Sequence, residues 1–167
     1  MTAQSFSRPS YGQTTGKASG TTTGPGLPDP VLRPDFYAGI RSKRLVAWVL
    51  DVILIAALSA ILLPFTVFTA LFFFPAFMLI IGFFYRWFTL SAGSATWGMA
   101  LMAIQLRQGD GQKLTGGTAF WHTVGYSLSI AMAPLQLVSV IMMCVTDRRQ
   151  GLTDMILTTA AINRPRW

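Results

Sequence analysis

Residues 44–51, Arg44-Leu45-Val46-Ala47-Trp48-Val49-Leu50-Asp51, decide how this chain folds. An arginine stands at the mouth of a long apolar run, and an aspartate stands seven residues inside it. Seven residues make two helical turns, so both side chains face nearly the same way, with Asp51 about 10 Å deeper. A charge inside a bilayer costs about 2.5–3.5 kcal/mol even on the gentler insertion scales, so Asp51 requires a partner. In sequence, Arg44 is the nearest one.

Outward from this stretch, the apolar run continues to about Leu90, and from Leu45 to Leu106 the only charged residues are Asp51 and Arg86. That run is too long for one span of about 20 residues and suits two. Pro64 marks the break, which places helices at about 43–63 and 67–89, with Pro75 as a kink in the second. Tyr85-Arg86-Trp87 reads as an interfacial anchor. Before the run, Phe36 and Tyr37 suit the headgroup level, and Arg41, Lys43 and Arg44 hold this end in the cytoplasm.

Composition agrees. The chain is 52% hydrophobic and 11% charged, where soluble domains carry about 25% charged residues. Its net charge of +7 comes from 13 Lys and Arg against six Asp. The basic residues sit mainly at the edges of apolar runs, which reads as cytoplasmic loop charge and not as a nucleic-acid surface. The lone Cys144 excludes an internal disulfide.

Residues 1–35 read as a disordered polar tail rich in Gly, Ser, Thr and Pro, 36–163 as the transmembrane domain, and 164–167 as a basic C-terminal end. Between the second and third apolar runs, Ile104-Gln105-Leu106-Arg107, the Asp110-Gly111 turn and Gln112-Lys113-Leu114 read as a short cytoplasmic β-hairpin; an irregular loop is the alternative. Residues 119–145 suit one tilted span or two half-crossings split at Pro134. The re-entrant pair is preferred, because it keeps Arg148, Arg149, Arg164 and Arg166 on the cytoplasmic side. The expected fold is thus an all-α integral membrane protein with three apolar segments, a short β-hairpin and a disordered N-terminal tail.

These pieces, in this order, resemble the RDD family of bacterial multi-pass membrane proteins from about Phe36 to Asn163. Arg44, Ala47 and Asp51 match its opening pattern. Thr96-Trp97-Gly98, Ile104 and Asp110-Gly111 match its central elements. Asp147-Arg148-Arg149-Gln150-Gly151-Leu152, with Asp154 and Thr159, matches its closing motif. The chain departs at Met99 and Ala100, where basic residues are common, at His122, where arginine is common, and at Thr153, where a histidine often precedes the aspartate. The resemblance implies a multi-pass inner-membrane protein and, for some members, cation/proton exchange.

The candidate buried charge cluster is Arg44, Asp51, Asp147, Arg148, Arg149 and Asp154. The motif turns are Thr96, Gly98, Asp110, Gly111, Gly151 and Thr159, and His122 is a candidate polar site. Desolvation raises a carboxylate's pKa and a nearby arginine lowers it, a balance that suits proton coupling. The alternative is a structural ion pair that fixes helix packing, in a non-transporting membrane accessory or scaffold protein that binds a membrane partner. No HExxH, GxSxG or clustered metal ligands occur, so neither enzyme activity, metal nor cofactor is expected. The expected partners are the lipid bilayer and either further copies of the chain or another membrane protein, with no nucleic acid.

Overall fold

Gly39 adopts a left-handed conformation (φ 67°) and turns the chain into α1 (Ile40–Leu62), a conformation that costs glycine little. The computed structural model describes residues 26–66 and 69–164. The buried residues of α1 are Ile40, Ala47, Asp51, Ile55 and Ser59, one stripe at helical spacing. Leu45, Ile53 and Ile61 point away from it and are at least 60% exposed, as a lipid-facing side requires.

Past Leu62 the chain makes two short 3-10 stretches, Leu63–Thr66 and Thr69–Phe73. The next helix, α2 (Phe74–Gly93), carries Pro75 in its first turn. A proline there gives up only an N–H that has no intrahelical partner, so Pro75 starts the helix and does not kink it. The helices expected at 43–63 and 67–89 become 40–62 and 74–93. The second buries Gly82, Arg86 and Leu90, and Ile55 of α1 packs on Gly82, where a Cβ would lie 3.4 Å from its Cδ1.

The third apolar segment forms α4 (Gly116–Ala131) and α5 (Ala133–Val145), bent by 115°. Met132 is extended at the break (φ −119°, ψ 99°), and Pro134 lies in the first turn of α5. Phe120 of α4 meets Phe83 and Trp87 of α2 edge-on, at 5.7 and 5.4 Å between ring centroids. Pro34–Thr66 and Thr69–Gly93 are each long and apolar enough to cross a membrane, whereas α4 and α5 reach that length only together.

Two short helices, α3 (Trp97–Leu101) and α6 (Leu152–Ile156), and two strands, β1 (Ile104–Gln108) and β2 (Thr159–Asn163), complete the fold. The expected hairpin is corrected here. The turn exists, with Gly111 at φ 79° and Gln108 N–H donating to Gln112 O, but β1 pairs antiparallel with β2, Leu106 opposite Ala161. Leu114 N–H is committed to Ser94 Oγ instead. Ile104, Leu106, Ala160 and Ala161 are fully buried, so the sheet is core and not a surface ribbon.

The expected tail, residues 1–35, lies outside the described residues up to residue 25. Residues 26–35 differ from that expectation because they have partners. Leu27 N–H donates to Gly109 O and Tyr37 OH to Pro28 O, while Leu27 and Phe36 pack on Tyr37, Ala160 and Ile162. Of the basic end, only Arg164 is described, and its N–H donates to Ala103 O beside the sheet.

Candidate functional site

Two carboxylates, each 1% exposed, anchor the centre of the fold. Asp51, on the buried stripe of α1, receives Tyr85 OH (2.7 Å) and Gly98 N–H (2.9 Å) on Oδ1 and Thr96 OH (2.6 Å) on Oδ2. Its counter-charge is Arg86, whose Nη2 lies 3.7 Å from Oδ2. Thr96 also caps α3 by accepting from Met99 N–H, so one aspartate ties α1, α2 and α3 together.

Gly98 makes this approach feasible. A Cβ there would lie 2.3 Å from Ala47 O and 2.8 Å from Asp51 Oδ1, inside contact distance of backbone that cannot yield. Gly98→Ala is therefore expected to push α3 off α1 and cost at least about 1–3 kcal/mol, the range for an overpacked core. Thermal unfolding in detergent measures it. An unchanged midpoint would contradict this packing.

Asp154 sits in α6. Its Oδ2 accepts from Arg44 Nη1 (2.5 Å) and Gly151 N–H (3.1 Å), and its Oδ1 faces His122 Nε2 (2.8 Å) and Thr159 OH (3.4 Å). Burial pushes this carboxyl up. Arg44 and His122 outweigh it, and Asp154 is held well below the usual carboxylate range. An ionised carboxylate only accepts, so Nε2 is the histidine nitrogen that carries hydrogen here.

The pairing thus differs from the one read in sequence. Arg44 goes to Asp154, and Asp51 goes to Arg86. Two turns along one helix separate Arg44 and Asp51 by about 10 Å, while residues from other elements stand directly against each. Of the remaining cluster candidates, Asp147 is exposed and Arg148 and Arg149 are half-buried in the loop after α5. Among the described residues none of these three forms an ion pair. Arg149 takes φ 55° in the turn. Arg41 bonds the carbonyls of Met143 and Cys144 at the end of α5, where a cation complements the helix dipole.

The motif turns divide the same way. Thr96 and Gly98 hold Asp51; Gly151 and Thr159 hold Asp154. Asp110 and Gly111 shape the remote β1 turn, where Asp110 Oδ1 accepts from Gln112 N–H. His122, 6% exposed, stands against Asp154. Tyr85 and Arg86 are the residues that sequence reasoning placed elsewhere. Arg86 lies four residues before the buried Leu90 and four after the buried Gly82, a spacing visible in the sequence.

Both carboxylates open on one cavity of about 450 Å³, bounded by α1, α2, α3, α4, α5 and α6. Ser129 OH donates to Gln136 Oε1 across the α4–α5 bend at its wall. Among the described residues, no group of three or more His, Cys, Asp or Glu is placed to hold a metal ion.

Apolar helices outside and a largely apolar cavity that carries paired charges inside define a helical membrane protein with a built internal site. The chain belongs to the RDD family, whose pattern matches residues 37–158. No curated protein and no solved structure was found to match it.

Proposed function

We propose that this chain is a multi-pass protein of the bacterial inner membrane that binds a small ligand in its cavity, as a non-transporting accessory component. It acts as a homo-oligomer or with a membrane-protein partner, its N-terminus in the cytoplasm and α4–α5 entering and leaving on one side. It does no chemistry on its ligand. The observation that carries the reading is that each buried carboxylate already has its arginine and at least three further polar neighbours. A cation entering the cavity would have to break one of these sets, which costs about 3–5 kcal/mol per buried pair.

The second reading is cation/proton exchange through the Arg/Asp network, and one observation favours it: Arg44, Asp51, Arg86, His122 and Asp154 all line a single cavity. Reconstitution in liposomes with a pH-sensitive dye under Na⁺, K⁺ and Li⁺ gradients separates the two. No cation-dependent proton flux is expected from the wild type. Flux that is sustained in the wild type and lost in Asp51→Asn would overturn the accessory reading.

A further inference from the structure

Arg86 is 6% exposed, yet among the described residues its guanidinium makes no hydrogen bond. Among the described residues its only counter-charge is Asp51 at 3.7 Å, and its Cζ lies 3.9 Å from the ring centroid of Tyr126. Among the described residues, the fully enclosed side-chain atoms that lack a partner are Ser59 Oγ and Ser91 Oγ. The Arg86 nitrogens are not sealed in this way; they front open space. A guanidinium carries five N–H donors in a planar fork, and leaving them unmet in a buried place is costly.

The space in front of Arg86 has two parts. On one side is the cavity that the two carboxylates face, whose lining holds three arginines, Arg41, Arg44 and Arg86, against two aspartates. On the other is a second cavity of about 330 Å³ walled by Ile55, Pro75, Met78, Leu79, Phe83 and Ile130, among others. Trp48, Arg86 and Tyr126 line both. From Arg86 to Pro75 the apolar part runs along α2 for about 16 Å, at 1.5 Å per residue. Trp48 and Leu79 on its wall are 40% and 41% exposed on the apolar outside of the bundle, so a molecule can enter sideways from lipid.

An unmet cationic fork at the head of an apolar groove fits one chemistry. We propose that this is a binding site for an anionic phospholipid, its headgroup phosphate bonded by Arg86 and one acyl chain lying along Met78, Leu79 and Phe83. Phosphate oxygens match the guanidinium fork with two parallel charge-assisted hydrogen bonds, and the excess of arginines favours a net negative head. This site presupposes the ligand-binding cavity proposed above and names its occupant.

The test is native mass spectrometry of the purified full chain, released from detergent after equilibration with equimolar phosphatidylglycerol and phosphatidylcholine, or with inorganic phosphate alone. One retained phosphatidylglycerol per chain is expected, in preference to phosphatidylcholine, with no phosphate adduct. Arg86→Lys keeps a positive charge beside Asp51 but loses the fork, and should bind about tenfold more weakly. Ser127→Trp leaves Arg86 intact and fills the groove from α4, and should lose the lipid while remaining folded. Equal retention of the two lipids, retention unchanged in both variants, or a phosphate adduct of the same stability would each overturn the assignment. The accessory reading fails by flux and the lipid assignment by mass, so the two proposals fail separately.

Discussion

Asp154→Asn is expected to destabilise the protein by about 3–5 kcal/mol, because it leaves Arg44 buried without its counter-charge. The Arg44 side chain is 13% exposed and the Asp154 side chain 1%, so solvent screens the pair little. The amide also presents an NH₂ where Arg44 and Gly151 donate, or where His122 and Thr159 do. In thermal unfolding this is a fall of order 10 °C for a chain of this size. The pH dependence follows from the same group. Its folded pKa lies below the unfolded value, so its contribution is present above about pH 4 and is lost as pH falls through the folded pKa. Asp154→Asn removes that acid-side loss. A wild type whose midpoint is as insensitive to acid as the variant's would contradict the arrangement around Asp154.

The second large effect is expected at Asp51. In Asp51→Asn the Gly98 N–H can only donate and keeps the carbonyl oxygen, so the NH₂ falls beside Arg86, which then has no counter-charge. The Thr96 hydroxyl, which accepts from Met99 N–H and donates to Asp51, loses its acceptor as well. The expected loss is again about 3–5 kcal/mol, and protease cleavage near residues 94–103 should appear before global unfolding as α3 detaches. Adding Arg86→Gln removes the orphaned cation and should recover part of the loss. A double variant no more stable than Asp51→Asn would show that Arg86 is not the partner.

How much of this could be read from sequence differs from residue to residue. That Arg44 and Asp51 both face inward followed from two-turn spacing within one helix, a local rule. Their partners lie 110 and 35 residues away in the chain, and no local rule reaches that far. Arg86 was misplaced for a physical reason. A basic residue between Tyr85 and Trp87 resembles a membrane-interface belt, but α2 runs on to Gly93 and carries Arg86 two turns inside the bundle. The Asp110-Gly111 turn was legible because left-handed backbone favours glycine. Its strand partner was not, because Thr159-Ala160-Ala161-Ile162 is too short and too small in side chains to announce a strand. The break of the third segment at Pro134 was legible and its 115° angle was not, since backbone rules locate a break without setting its direction.

The crossed pairing of Arg44 with Asp154 and Arg86 with Asp51 underlies the locked carboxylates, the cavity and the unmet guanidinium alike. A double-mutant cycle in thermal and denaturant unfolding tests it most directly, combining Arg44→Gln first with Asp154→Asn and then with Asp51→Asn. Contacting charged pairs couple by about 0.5–3 kcal/mol, and sites more than about 7–10 Å apart with no shared partner add to within about 0.5. The crossed pairing predicts a coupling above about 1.5 kcal/mol for Arg44 with Asp154, and additivity within about 0.5 kcal/mol for Arg44 with Asp51. Coupling of Arg44 to Asp51 with none to Asp154 would contradict it.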